Sequence, residues 1–270
     1  MVTSKELIEA IEYIKKFRGQ VFIVKFSGEI VGDDKVLDSA ARDLILLNEM
    51  GIHLVVMHGA GNLISSNMKK FGLKPRFVKG ERVTDEKTLD IVIGCLQHVN
   101  DRIVGKINKY DKRAIGVTGV FVAKKRKSLG LVGNIEEINT EFLHSIIEKG
   151  HIPVILPIGE DKEGNSLNIN ADIAAGELAK VLNATKLIIL TNVDGILNKN
   201  GKLIKTLNIS EAKKLIKSEE ITGGMIPKLD ACIKALSRGV KQAHIIKASE
   251  HAILGEILTK EGTGTMIVGG

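Results

Sequence analysis

The chain has 270 residues, 39 Lys and Arg against 32 Asp and Glu, a formal net charge of +7 and 44% hydrophobic residues. This apolar content excludes intrinsic disorder, and two distant cysteines, Cys95 and Cys232, exclude a disulfide scaffold or a Cys-rich zinc module. An aromatic content of 3% and sign-interleaved charge argue against a nucleic-acid groove, which pairs cations with stacking rings.

Leu7, Ile8, Ile11, Ile14 and Phe17 fall at helical spacing, and Gly19 supplies a stop. Glu6, Glu9 and Glu12 interrupt this stretch, so it does not read as an export signal. No segment approaches the ~18 apolar residues that cross a bilayer, and a cytoplasmic protein with no membrane partner is expected. The first helix precedes any strand; it packs on its own sheet or docks on another subunit. Continuous apolar runs then predict strands at 21–26, 53–59, 113–119, 153–159, 186–192, 243–248 and 265–268, buried on both faces. Amphipathic stretches at 36–50, 85–108 and 227–239 predict helices between them. The alternation predicts an α/β fold, a mostly parallel sheet with helices on both sides, in one body of two lobes. The basic run at 124–127 reads as a solvated face.

In an open parallel sheet, ligands bind outside the carboxyl ends of the strands. There the chain carries Lys25-Phe26-Ser27-Gly28, His58-Gly59-Ala60-Gly61-Asn62 and Thr191-Asn192-Val193-Asp194-Gly195. Glycines at such turns let backbone amides approach an anion. The Walker pattern, a G-x-G-x-x-G after the first strand, the protein-kinase set, H-E-x-x-H and G-x-S-x-G are all missing. Three polar clusters remain. Residues 168–172 read Asn-Ile-Asn-Ala-Asp before a helix that Asn170 or Asp172 can cap, and they equally suit a polar ligand and a lysine or metal partner. Residues 223–228 read Gly-Gly-Met-Ile-Pro-Lys. Pro227 suits a first turn, where the helix dipole disfavours a cation and Lys228 needs an anion beside it. In residues 80–85, Thr84 or Asp85 can cap the next helix, leaving Arg82 free to clamp a carboxylate bidentately.

In this order, VKFSGE, VVMHGAGN, GERVTDEKTLDIV, GHIPVILPIG, NINADIAAGELA, KLIILTNVDGIL, ITGGMIPKLDACIKAL and EGTGTMIV resemble the amino acid kinase family, and within it the N-acetylglutamate kinases, over residues 20–268. The resemblance implies a three-layer αβα sandwich around a mostly parallel central sheet. It implies an oligomerisation helix at 1–19 and a single kinase domain at 20–270. That domain would have an N-lobe (about 20–170) for the acyl amino acid and a C-lobe (about 171–270) for the nucleotide. The implied reaction is phosphorylation of the γ-carboxylate of N-acetyl-L-glutamate by MgATP, the second step of arginine biosynthesis. By position, Lys25 and Lys228 neutralise the phosphates and Asp172 holds both lysines. Arg82 and Asn168 grip the substrate beside the Ala60 and Gly61 amides. Gly28, Thr191, Asn192, Val193, Asp194, Gly195, Leu197 and Gly224 contact the nucleotide, and no side chain is expected to bind Mg²⁺ directly. Such chemistry needs no general base, because a carboxylate is already ionised at pH 7; positioning and charge stabilisation carry it.

Ser27 and Ala60 stand where the family usually has glycine, Asn192 where Asp is frequent, and Lys247-Ala248 where Asp-Gly is usual. A methyl at Ala60 is expected to narrow the pocket or to restrict a needed φ > 0. Residues 13–19 and 261–267 resemble arginine-inhibited members, which implies a hexamer of dimers joined through N-terminal helices, with arginine as feedback inhibitor touching His251 and Glu261. Two competing readings are a kinase for N-succinylglutamate or carrier-linked aminoadipate, and a non-catalytic arginine- or acylglutamate-binding regulatory protein. The aminoadipate relative typically reads Arg-Tyr-Thr where this chain has Arg82-Val83-Thr84.

Overall fold

In the computed structural model, which describes residues 4–78, 80–258 and 262–269, helix α1 (Ser4–Phe17) leads into β1 (Val21–Phe26), α2 (Asp34–Glu49), β2 (His53–His58) and α3 (Gly61–Lys70). A short hairpin, β3 (Phe77–Val78) and β4 (Glu81–Arg82), precedes the long α4 (Glu86–Asn108). Then come β5 (Ala114–Val117), β6 (Phe121–Lys125), β7 (Gly133–Ile138), α5 (Thr140–Ile147), β8 (Ile152–Ile155), β9 (Ile158–Glu160) and β10 (Ser166–Asn168). The rest comprises α6 (Ala171–Val181), β11 (Lys186–Thr191), β12 (Thr206–Asn208), α7 (Ile209–Lys217), α8 (Met225–Leu236), β13 (Gln242–Lys247), α9 (Ala252–Leu258) and β14 (Thr265–Val268).

Eight strands form one sheet in the order β12-β14-β13-β11-β1-β2-β8-β5. Every neighbouring pair is parallel except β13 and β14. Side chains alternate between the faces of a strand. Phe22, Val24 and Phe26 therefore join a core with α2, α4 and α9, and Ile23 joins a second core with α5, α6 and α8. Two cores on one sheet make the three-layer sandwich. The same alternation sends Lys25 to the side of Ile23, beneath α6 and α8. Those two helices pack closely because α6 is built of small residues: a Cβ on Gly176 would lie 3.2 Å from the Ala231 carbonyl oxygen.

Two strand expectations change. The run at 153–159 is divided at Leu156-Pro157: β8 belongs to the large sheet, β9 to a separate four-stranded sheet in the order β10-β9-β6-β7. Proline has no N–H to continue a ladder. The run at 113–119 shortens to β5, an edge strand with Ile115 exposed, rather than one buried on both faces. The second sheet was not anticipated at 121–138, because exposed Lys and Glu pairs interrupt β6 and β7 and leave no continuous apolar run. Both open capping choices resolve. Asn170 accepts from the amides of Asp172 and Ile173, and Asp85 accepts from the amide of Thr88. Helix α1 divides its surface: Phe17 is buried, edge-on to Phe22 at 5.3 Å, while Ile8 and Ile11 are exposed. No helix of the described residues is long and apolar enough to cross a membrane.

Candidate active site

The carboxyl ends of β1, β2 and β11, with the starts of α6 and α8, surround a cavity of about 540 Å³. Three elements bring a charged cluster to it. Lys25 Nζ lies 2.6 Å from one carboxylate oxygen of Asp172, and Lys228 Nζ lies 3.6 Å from the other. Asp172 sits in the first turn of α6, where the helix dipole favours an anion. Burial pushes the Lys25 ammonium below its ordinary pKa, with Asp172 opposing that shift and the Lys228 charge adding to it. For Asp172, burial works toward the neutral acid, but the two lysine charges outweigh it and hold the carboxyl below its usual range. Lys228 also donates to the Gly224 carbonyl at 3.3 Å. The anion that the helix-turn position of Lys228 called for is Asp172.

The two glycine loops meet face to face. A Cβ on Gly28 would lie 3.0 Å from the Gly59 oxygen, the Ala60 Cα and the Gly61 nitrogen. Ala60 itself has φ −138°, so the backbone needs no φ > 0 there and that alternative falls, while the residue lines the cavity. Behind the loop, Asn100 donates both to the His58 ring, at 3.0 Å, and to the Val154 carbonyl, at 2.9 Å. His58 is fully buried, its pKa lowered to about 3 by burial, so the ring is neutral. In front, the Asn62 amide bonds the Glu29 carboxylate at 3.0 Å.

Arg82 is not free. Its guanidinium donates to the Gly61 carbonyl at 3.0 Å, to Ser65 Oγ at 2.9 Å and to the Met68 sulfur at 3.1 Å. It also stacks on the Phe77 ring at 4.7 Å. Of five donors, three are engaged in this way, and one Nη1 hydrogen and the Nε–H have no hydrogen-bond partner among the described residues. Asn168 donates to Thr84 Oγ1 at 3.2 Å and lines the same cavity.

The cavity wall thus contains Lys25, Gly28, Ala60, Gly61, Arg82, Asn168, Asp172, Thr191, Asn192, Val193, Gly224 and Lys228 among the expected residues. Asp194, Gly195 and Leu197 are not in that wall. Asp194 pairs with Lys247 at 2.9 Å. Gly195, at φ +138°, is glycine because Leu203 and Thr265 leave a Cβ no room. Leu197 is exposed and bridges to Leu203. His251 lies outside the cavity with its ring on Asp43 at 2.6 Å, and Glu261 falls outside the described residues. Asn62 and Met225 line the cavity from the segments singled out at 58–62 and 223–228, whereas Phe77, Glu29 and Thr222 line it without having been foreseen. Of these three, Glu29 and Thr222 carried a signal, their place beside those glycine-bearing segments. No group of three or more His, Cys, Asp or Glu among the described residues could hold a metal ion.

The amino acid kinase family pattern matches residues 20–247. The chain belongs to the amino acid kinase family. Within it, an acetylglutamate kinase of Methanococcus maripaludis is 44% identical over 283 residues, covering 97% of this chain and 96% of that one. The N-acetylglutamate synthase of Neisseria gonorrhoeae, complexed with coenzyme A and N-acetyl-glutamate, superposes with a TM-score of 0.92 at 27% identity. Its complex with coenzyme A and L-arginine gives 0.88 at 26%. The match covers 99% of this chain but 64% of the synthase in the first complex and 66% in the second, so the chain spans about two thirds of that protein's length. A carbamate kinase of Giardia lamblia bound to AMP-PNP, at 16% identity and a TM-score of 0.69 over 93% of this chain and 99% of the other, shares the fold.

Proposed function

We propose that this chain is an ATP-dependent kinase that converts N-acetyl-L-glutamate to N-acetylglutamyl 5-phosphate, the second step of arginine biosynthesis. The observation that carries the reading is the Lys25–Asp172–Lys228 bridge at the meeting point of the two glycine loops, in a chain 44% identical to an acetylglutamate kinase. Bringing a carboxylate against a γ-phosphoryl group sets two anions together. The barrier is lowered by fixed positive charge and alignment rather than by proton transfer. Lys25 and Lys228 supply that charge, and Asp172 keeps the two ammonium groups from separating. The Gly28, Ala60 and Gly61 amides complete the field, and Arg82 and Asn168 hold the acyl amino acid in line with the phosphoryl group.

MgATP enters as substrate. Both Asp172 oxygens are engaged by lysines, and Mg²⁺ commonly keeps several waters and binds through nucleotide phosphates. In this reading residues of about 20–170 bind the acyl amino acid. Those of about 171–270 bind the nucleotide through Thr191, Asn192, Val193 and Gly224, with Asp194, Gly195 and Leu197 shaping the segment behind them. The enzyme works in the cytoplasm. The likeness to a synthase complexed with L-arginine supports feedback inhibition by arginine, with His251 and Glu261 as contacts and α1 assembling dimers into a hexamer.

Acyl phosphate formation trapped with hydroxylamine tests the proposal with ATP and each of N-acetylglutamate, N-succinylglutamate and an aminoadipate derivative. N-acetylglutamate is expected to give the highest kcat/KM. Preference for another acyl acceptor reassigns the substrate, and no turnover with any of the three removes the kinase reading.

A further inference from the structure

The basic run at 124–127 is absorbed by none of the chemistry above. Lys124, Lys125 and Lys127 are exposed, but Arg126 turns inward and donates through Nη1 to the Glu81 carboxylate at 2.5 Å. Glu81 is the neighbour of Arg82 on β4. The loop that Arg126 opens, between β6 and β7, is closed on itself by the Arg126 amide on the Val132 carbonyl at 2.7 Å. Its middle then grips the segment after β4. The Thr84 amide donates to the Leu129 carbonyl at 2.9 Å, and the Leu131 amide donates to the Thr84 carbonyl at 2.6 Å. Gly130, at φ +80°, permits this approach, since a Cβ there would lie 2.3 Å from the Thr84 oxygen. The same loop holds β10: the Asn168 amide donates to the Leu131 carbonyl at 2.9 Å, and Val132 pairs with Asn168. Thr84 Oγ1 closes the circuit by donating to the Arg82 carbonyl at 3.0 Å and accepting from Asn168 at 3.2 Å. Leu129, Val132 and Thr84 are buried, and Val132 forms part of the cavity wall.

We infer that residues 126–132 are a clasp that sets the spacing between Arg82 and Asn168, and that Arg126, acting through Glu81, is a positioning residue for the acyl amino acid. One loop backbone bonds Asn168 directly and reaches Arg82 through Thr84, which fixes the two at one register. The role rests on the reading of Arg82 and Asn168 as substrate contacts. The clasp touches none of Thr191, Asn192, Val193 or Lys228 in any of these bonds, so loosening it separates the two substrates kinetically. A partly exposed ion pair shifts an equilibrium only modestly, about fivefold at most.

Steady-state kinetics on the full chain tests this. Arg126→Gln is expected to raise KM for N-acetylglutamate about fivefold, with KM for ATP and kcat nearly unchanged. Arg126→Lys should recover part of the loss, and the exchange Arg126→Glu with Glu81→Arg should recover more than either single reversal. Lys124→Gln, in the same run but outside the clasp and facing solvent, should change nothing. An unaltered KM for N-acetylglutamate in Arg126→Gln, or an equal rise in KM for ATP, overturns the positioning role. Should the wild-type chain phosphorylate none of the acyl amino acids, the proposed function falls. The clasp is then decided by hydrogen exchange: Arg126→Gln must speed exchange at the Thr84 and Asn168 amides, and unchanged protection overturns it.

Discussion

Asp172 accepts two ammonium groups that would otherwise repel each other across the cavity. Its carboxylate is held in the charged form by those neighbours, and it holds both ammonium groups beside the cavity. Preorganised charge of this kind acts at the transition state with no reorganisation at the moment of transfer. Replacing Lys228 with Ala should therefore lower kcat by roughly 10²–10³-fold, the scale of losing one preorganised donor. Steady-state turnover of N-acetylglutamate measures it; a kcat within threefold of wild type would refute the role given to Lys228. Legibility at this scale was uneven. The residues that carry charge at the site stood out because a lysine in a helix's first turn is a locally costly choice without an anion beside it, and because two amides and a carboxylate cluster at the start of α6. Phe77 gave no signal, since its contact with Arg82 depends on a hairpin of two-residue strands. Asp194, Gly195 and Leu197 sit next in sequence to cavity residues yet turn away. Adjacency along a loop does not specify direction.

Helix α9 illustrates what an element owes to groups outside it. Glu256 on α9 accepts from the amides of Thr263 and Gly264 and from the His244 ring on β13, so one carboxylate ties the helix, the sheet and the turn before β14 together. Burial opposes its charge, but the His244 hydrogen bond and those amides outweigh burial and bring its pKa to about 2. His244 is kept below its ordinary range by burial, so the ring is neutral, donating from Nδ1 and accepting from Lys186 at Nε2. A depressed carboxylate stabilises the fold above its unfolded pKa, and that stability is lost as pH falls through the folded value. Between pH of about 4.5 and about 2 the wild type should lose roughly 2 kcal/mol more than Glu256→Gln, with allowance for solvent at its less covered side. Urea denaturation at stepped pH reads the difference; parallel acid profiles would refute the assignment. The elements that could be read in advance were those with long periodic runs: β1, β2, β11 and β13 appear within a residue of their expected bounds. The four-stranded sheet escaped because three-residue strands such as β9 and β10 are too short for a period to register, and β9 joins β6 across the intervening β7, α5 and β8.

At the scale of the molecule, α1 is anchored through Phe17 at its C-terminal end. Phe17 is buried against Phe22 and beneath Lys186, whereas Ile8 and Ile11 present apolar surface. Exposed apolar side chains on one helix are a common mark of an interface. In the proposed assembly, deletion of residues 1–18 should convert hexamers to dimers while leaving turnover of N-acetylglutamate within about twofold, as α1 takes no part in the charged site. Sedimentation velocity distinguishes the species, and an unchanged profile would refute the helix-mediated assembly. The sequence also foretold the layered architecture, because an unbroken alternation of buried strands with amphipathic helices admits few other arrangements.

The order of strands bears on how the molecule is made. β14 lies between β12 and β13, both earlier in the chain. During synthesis β13 has an open flank, and β12 has no neighbour at all, until residues 265–268 emerge. Chains fold as they are extended at about 5–20 residues per second, so the half of the sheet beside β11 stays incomplete until those residues have been made. Unpaired strand edges invite association with other chains. A ribosome stalled just short of Thr265 would hold a nascent chain whose Lys25 side is already built, yet whose other flank remains open to aggregation.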